Sequence, residues 1–479
     1  MPIEITDVQM HVLNMNTRFP FKYGIASLVA LPHLFVRVEA EVDGKSSVGL
    51  SADGLPPKWF TKNPTAPFDD DLDEMLSVIR NAVHLVQSAG PAESAFTLWE
   101  TVYQGQEAWS KSTAYPPLLW AFGVSLVERA VIDAVCRAND TTFAAAVRDG
   151  SLGIRLGAIH PELDGRQPSE LLVDAPLKTI QVRHTVGLAD PLTVSDIPAE
   201  ERLSDGLPHS LEDNIEVYGL THLKIKLCGD ADPDRARLKE IAGLMSGRQC
   251  AFTLDGNEQY TELRPFRELW EAIRSDAELN AFLKGLIFVE QPLHRDVALS
   301  DDAASVLVDW DECPPMIIDE SDGSLDSSRR ALDCGYVGTS HKNCKGVFKG
   351  IANACLMAKR EQETGKRHVL SSEDLANVGP VALTQDLAVL ATLGITHSER
   401  NGHHYFAGLS MFPEEVQSQI LDTHGSLYTS DGSFPRLAVA DGSLDVSSVV
   451  GAPFGYGFDL DTTRYTPLDA WSADSLDIG

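Results

Sequence analysis

LKIK (223–226), LDGN (254–257), VEQP (289–292), IIDES (317–321) and SHKNCK (340–345) fall in this order along the chain. Each lies at the C-terminal end of a short apolar run, Thr221–Leu227, Cys250–Asp255, Leu286–Glu290, Met316–Asp319 and Tyr336–Lys342, that reads as a β-strand. Helical periodicity fills the gaps between such runs, as in Asp232–Met245, Leu263–Ile273 and Gly346–Lys359. Working outward, Ile180–Val186 adds a strand before the first segment, and His368–Ser372 and Leu393–Ser398 add two after the last. Eight strands alternating with helices predict a closed parallel barrel rather than an open doubly wound sheet. No G-x-G-x-x-G follows a strand, so a dinucleotide fold has no support.

In a barrel all C-terminal strand ends meet at one mouth. Asp255, Glu290 and Asp319 would then converge there, ringed by Lys224, Lys226 and Lys342. Oxygen-only donors without His or Cys select a hard cation, Mg²⁺ or Mn²⁺, or Ca²⁺, over zinc. Lys224 and Lys226 are two apart on a strand and point the same way, and two inward lysines are costly unless they are used. Singly, each carboxylate is more readily read as a helix N-cap and each lysine as a surface residue. Three carboxylates on three successive strands are not. Glu320 competes with Asp319, because only one of two adjacent strand residues can face inward, and Lys345 competes with Lys342. Glu373, His403 and His404 are placed to line the mouth, although each is more often a surface residue, and Cys344 lacks the base and orienting group of a nucleophile.

The first 150 residues read differently. Ile3, Ile5, Val8, Met10 and Val12 alternate with a slip after Ile5, Leu34 to Val42 alternate strictly, and Asp43-Gly44 is a hairpin turn. Helices are predicted over Asp71–Val86 and Pro116–Ala138. The expected organisation is an α+β unit over residues 1–150, completed by a tail from about 407 to 479, and a barrel over 151–406. Leu437, Val439 and Leu444 are the tail residues expected to form a strand returning to the first unit. Two polar segments, 157–176 and 189–211, read as insertions; the second leaves the mouth end of the first barrel strand and is expected to cover part of the site.

With 39 Lys+Arg against 70 Asp+Glu the chain carries a formal charge of −31, which argues against nucleic acid and anionic membrane surfaces as partners. Seven cysteines without a CxxC spacing are expected to be reduced. The start, MPIEITDVQM, lacks the basic and apolar regions of a signal peptide, and no apolar stretch reaches membrane-spanning length, so a cytoplasmic protein is expected.

The five segments together resemble the enolase superfamily, specifically its muconate-cycloisomerase-like branch, over almost the whole chain. The resemblance implies a modified TIM barrel, (β/α)7β, with an N-terminal α+β capping domain. It implies Mg²⁺ (or Mn²⁺) on Asp255, Glu290 and Asp319, Lys226 as the base on one substrate face, Lys342 as acid or base on the other, and Lys224 stabilising the enolate. Tyr23 and its neighbours, and the stretch Leu55–Phe60, would close over the substrate, with Asn257, Glu320 and Glu373 as further substrate-binding residues. The implied chemistry is abstraction of a proton α to the carboxylate of a small molecule, leading first to racemisation or epimerisation, alternatively to elimination by a lyase or to cycloisomerisation. A non-catalytic, metal-stabilised binding protein and a nonmetal hydrolase on the same barrel are the readings of other classes, and a homo-oligomer stays open. The chain departs from the pattern in its length, in a single Gly346 where a glycine pair is usual, and in THSERNGHHYF at the eighth strand. Ser371, Ser372 and Glu373 stand where the mandelate-racemase branch would place a histidine.

Overall fold

In the computed structural model, which describes residues 1–23 and 26–476, the early alternation becomes an antiparallel meander. Its strands are β1 (Ile3–Tyr23), β2 (Ala26–Val42) and β3 (Lys45–Gly54). The slip after Ile5 is a register shift between Ile5 and Asp7 in the β1–β2 ladder. Asp43 and Gly44 turn the chain at φ 50° and 76°, the positive values that a two-residue hairpin matching strand twist requires. Helices Phe68–Ser88 and Pro117–Ala138 pack on this sheet, and Ala95–Ser110 packs on those two helices. Pro117–Ala138 is buried from Leu118 to Cys136, because it touches the sheet on one side and the barrel turn Asn343–Lys345 on another. Gly49 on β3 permits that approach: a Cβ there would stand 2.0 Å from the Ala130 carbonyl oxygen.

The barrel strands are β4 (Thr179–Val186), β5 (His222–Lys226), β6 (Ala251–Asp255), β7 (Leu286–Glu290), β8 (Met316–Ile318), β9 (Gly338–His341), β10 (Val369–Ser372) and β11 (His397–Glu399). They form one parallel ladder from β10 back to β4, and then to β11, so the sheet curls into the expected TIM-like barrel under an N-terminal cap. Across the remaining seam Ser398 Oγ donates to the Ser372 carbonyl at 3.3 Å. The eighth strand lies later than the expected Leu393–Ser398, because Leu393 ends the buried helix Ala382–Leu393.

The tail differs from expectation in detail. Leu437 lies in a local ribbon of β12 (Tyr428–Thr429) and β13 (Arg436–Leu437). Leu444 lies in β14 (Ser443–Asp445), which pairs with β4 of the barrel rather than with the cap. The strand that returns to the cap is β15 (Thr466–Pro467), antiparallel to β1 with Val12 opposite Thr466. The junction of cap and barrel is also made by side chains. Glu128, on the long buried helix, accepts from the amides of Val347 at 3.1 Å and Phe348 at 2.6 Å, capping the barrel helix Val347–Thr364. Among the described residues no helix is long and apolar enough to cross a membrane.

Candidate active site

The strand ends deliver their side chains to one cleft between cap and barrel. Lys224 and Lys226 share a face of β5, as the two-residue spacing demands, and both reach Asp255 at the end of β6. Lys224 Nζ is the hub: it donates to Glu290 Oε1 at 2.9 Å, Glu373 Oε1 at 2.6 Å and Glu399 Oε2 at 2.9 Å, and lies 3.0 Å from Asp255 Oδ2. Lys226 Nζ donates to Asp255 Oδ2 at 2.5 Å. On the far side Lys342 Nζ donates to Asp319 Oδ2 at 2.9 Å and Glu373 Oε2 at 2.7 Å. Lys345 is held by Asp319 Oδ1 at 2.6 Å and by the carbonyls of Asp319 and Ser340, both at 2.8 Å. Below the cluster, Arg183 of β4 donates to Glu373 Oε1 at 3.1 Å.

The carboxylates that approach one another within 4.8 Å are Glu290, Asp319 and Glu373. This differs from the expected trio: Asp255 is turned onto the two β5 lysines and onto Asn257, whose backbone amide donates to its Oδ1 at 2.8 Å. Asp319 and Glu320 both line the cleft, contrary to the one-inward rule, because β8 ends at Ile318 and strand alternation does not extend to them. Asn257 and Glu373 line it too, whereas the side chain of Tyr23 lies outside the described residues. His403 and His404 do not line it; they are buried against His184 and β1, with His184 Nδ1 3.1 Å from His403 Nε2. Cys344 is buried, and burial pushes its thiol far up. The segment 189–211 contributes no lining residue; Asp205 and the Leu207 and Pro208 carbonyls instead hold Arg18 of β1.

Three contributors, Glu399, Glu258 and Arg295, escaped the sequence reading. Glu399 obeys the strand-end rule, but on a strand whose register was misplaced. Trp59 falls inside the expected closing stretch, and its ring lies 4.6 Å from Lys342 Nζ. Glu258 and Arg295, in the loops after the neighbouring strands β6 and β7, pair at 2.8 Å, a contact with no local signal.

Electrostatics follow from burial and pairing. Burial alone would lower Lys224 and Lys342, but Asp255, Glu290 and Glu373 outweigh it at Lys224, and Asp319 and Glu373 at Lys342, so both lie well above the usual lysine range. Burial would raise Asp255; Lys224 and Lys226 outweigh it and hold the carboxyl at about 2. Glu290 is pushed well up by burial and by Glu373, whereas burial of Glu373 is outweighed by Lys224 and Lys342, which hold it well down. Burial and the adjacent Asp319 raise Glu320 to about 8.

The donor set fits a hard divalent cation. It offers three buried carboxylates within mutual reach, Asp255 beside them, and a Glu290 Oε2 that is buried without a hydrogen-bond partner.

No protein-family model and no curated protein sequence matches the chain. Solved structures do. A mandelate racemase/muconate lactonizing protein from Herpetosiphon aurantiacus matches with a TM-score of 0.59 at 16% identity, over 96% of this chain and 99% of that one. The L-Ala-D/L-Glu epimerase from Bacillus subtilis matches at 0.55 and 18%, over 91% and 96%. An enolase from Bradyrhizobium complexed with magnesium and mandelic acid matches at 0.57 and 14%, over 97% and 99%. The chain thus has the capped-barrel fold of the mandelate racemase/muconate lactonizing and enolase-superfamily structures. At these identities the likeness establishes the fold, and the chemistry rests on the residues.

Proposed function

We propose that the chain is a divalent-metal-dependent enzyme that removes a proton α to the carboxylate of a small molecule, with racemisation or epimerisation as the outcome. The observation that carries this is the placement of two lysines, Lys226 from the second barrel strand and Lys342 from beyond the sixth, at opposite edges of one buried carboxylate cluster. Asp255, Glu290 and Asp319, with Glu373 adjoining, are the residues that would hold Mg²⁺ or Mn²⁺. Bound there, the cation would supply positive charge for the substrate carboxylate and for the negative charge that develops on proton loss.

The chain's own groups supply the rest. Lys226 and Lys342 address the two faces of the α-carbon, one taking the proton and the other returning one. Lys224 adds a fixed positive charge where the enolate oxygen forms. Lys345, saturated by two backbone carbonyls and Asp319, positions Asp319 rather than moving protons, which favours Lys342 in the catalytic role. As the side chains stand, the carboxylates hold both catalytic lysines in their ammonium form. A base at either position therefore requires that a carboxylate be drawn to another cation.

Among the structural neighbours are a complex with magnesium and mandelic acid and an L-Ala-D/L-Glu epimerase, which agrees with this reading. The test is exchange of the α-proton in D₂O across a library of carboxylic acids, with and without EDTA. Metal-dependent exchange that accompanies stereochemical inversion is the expected result. Elimination or ring closure in its place would assign the lyase or cycloisomerase outcome. Metal binding without exchange of any acid would leave a binding protein.

A further inference from the structure

The barrel is not closed by backbone all the way round. Among the described residues no ladder joins β10 to β11, the strands whose ends carry Glu373 and Glu399. Side chains cross this gap instead. Ser398 Oγ donates to the carbonyl and to the hydroxyl of Ser372, both at 3.3 Å. Arg400 joins the outer end through Ser398 Oγ at 2.9 Å and through Asp374, and its ion pairs are with Asp374 and Asp386 rather than with Glu373 or Glu399. Arg183 spans three strands. From β4 its Nη1 donates to Ser371 Oγ at 2.9 Å and lies 3.0 Å from His397 Nδ1. Its Nη2 donates to the Ser372 carbonyl at 3.2 Å and to Glu373 Oε1 at 3.1 Å. Burial and Arg183 push His397 down to about 2, so its ring is neutral and Nδ1 accepts from the guanidinium.

Arg183 is fully buried in a barrel interior, where Val, Ile or Leu is usual, and a buried cation there is costly unless it is paired. Its planar fork ties β10 and β11 to one rigid group, which a point-like ammonium cannot do. Lys224 Nζ sits across the same gap, 2.6 Å from Glu373 Oε1 and 2.9 Å from Glu399 Oε2. On the β11 side Asn401 and Thr185 donate to Glu399. On the β10 side the cations that hold Glu373 are Lys224, Lys342 and Arg183, and of these only Arg183 lies outside the lysine set assigned to the reaction. We propose that Arg183 is a positioning residue: it bridges β10 and β11 where the backbone does not, and so fixes the spacing of Glu373 and Glu399 and the place of Lys224 between them. The role rests on the proton-abstraction reading above and adds a residue to it. Lys224 acts on charge that develops during the reaction, so its displacement lowers kcat more than it raises KM.

Arg183→Lys keeps the charge and loses the fork, and Arg183→Met keeps much of the volume and loses both. Amide hydrogen exchange of the full-length protein in Mg²⁺ alone, read peptide by peptide, tests the bridge. In both variants exchange over 369–373 and 397–400 should rise at least about tenfold, while 251–255 and 286–290 on the far strands stay within about twofold. For the acid that the D₂O screen identifies, kcat of Arg183→Met should fall at least about tenfold with KM within about threefold, and Arg183→Lys should lie between it and wild type. If Arg183→Met does not fold, Ser371→Ala, which removes one acceptor of the fork, should raise exchange over the same two segments by a smaller factor. Wild-type exchange there in every folded variant, or an equal rise over all barrel strands, overturns the bridge. A raised KM at unchanged kcat overturns the positioning of Lys224. If wild type exchanges the α-proton of no acid, the proton-abstraction reading falls and the role of Arg183 in the reaction with it, whereas acceleration confined to the two segments would still support the bridge.

Discussion

The floor and the roof of the cleft are built in opposite ways. The floor residues come from the C-terminal halves of successive parallel strands or from just beyond them, and Lys224 alone faces four carboxylates. The roof comes mostly from the antiparallel cap sheet and the short helix Pro57–Thr61 after it, presents apolar surface, and keeps its few charges tied to its own carbonyls, to Asp71 or to Glu258. Reaction and recognition thus sit on separate stretches of chain. Substitutions in the floor should change rate and metal binding, and substitutions in the roof should change affinity.

The strongest test of that division is at the lysines. Lys226→Ala and Lys342→Ala should each lower turnover of a true substrate by about 10²–10⁴-fold, the usual contribution of a positioned acid or base. For an epimerase, each variant should still exchange the α-proton of one stereoisomer in D₂O. Normal turnover by Lys342→Ala would break the assignment and point to Lys345.

Next comes the metal. Two unit charges 4 Å apart interact by about 4 kcal/mol at an effective dielectric of 20. Glu290→Gln, which removes one charge without changing shape, should therefore weaken Mg²⁺ binding by about 100-fold or more in calorimetry. Wild-type affinity in this variant would move the centre away from Glu290 and toward Asp255.

The contrast between floor and roof also explains what the sequence discloses. Strand-end residues share one address, the end of an apolar run, so Lys226, Asp255, Glu290, Asp319 and Lys342 stand out from the sequence pattern alone. The rule weakens where strands are short. β8 stops at Ile318, so Asp319 and Glu320 both face the cleft, and β11 has three residues beginning at His397, so Glu399 was hidden behind a helix ending at Leu393. Which carboxylates converge was not legible either. Glu373 approaches Glu290 and Asp319 because Lys224 and Lys342 both draw it in, and that is a property of packing rather than of spacing. The roof is less legible still: Arg295 meets Trp59 across 236 positions, and Leu444, which alternates like a cap strand, pairs with the barrel.

Glu128 tests the junction between the two parts. Burial raises its carboxyl to about 7 despite two amide donors, against an ordinary value of 4.5. Below the ordinary value both folded and unfolded states carry the proton. Between 4.5 and about 7 the unfolded chain releases it and the folded one keeps it, so stability falls as pH rises through that window. The shift corresponds to at most about 3 kcal/mol. Thermal unfolding of Glu128→Gln should show a flatter profile than wild type between pH 5 and 7. An unchanged slope would mean that Glu128 is ionised at the helix N-terminus throughout.

Arg295→Ala sharpens the roof side. It removes charged hydrogen bonds to Glu258 and the clamps on the Trp59 and Phe60 carbonyls, while Lys62 still partners Glu258. A loss of about 2 kcal/mol in stability is expected, with a raised KM and little change in kcat. A fall in kcat equal to that of a lysine variant would erase the distinction between floor and roof.

The smallest effect is expected at the outer support of the roof, the segment 189–211. Asp205 holds Arg18 of β1 at 2.6 Å and 3.0 Å, but Arg18 also donates to the His404 carbonyl at 2.6 Å and to those of Pro208 and Leu207 at 3.1 and 3.2 Å. Asp205 is itself partly exposed, so the pair is screened and its loss leaves Arg18 with three acceptors. Asp205→Asn should therefore cost less than about 1 kcal/mol in thermal unfolding. Since no residue of the segment lines the cleft, the affinity for a true substrate should stay within about twofold of wild type, a difference of about 0.4 kcal/mol. A tenfold loss of affinity at unchanged stability would mean that the segment acts on the roof through β1. Recognition would then extend beyond the apolar wall to the strand that carries Phe21.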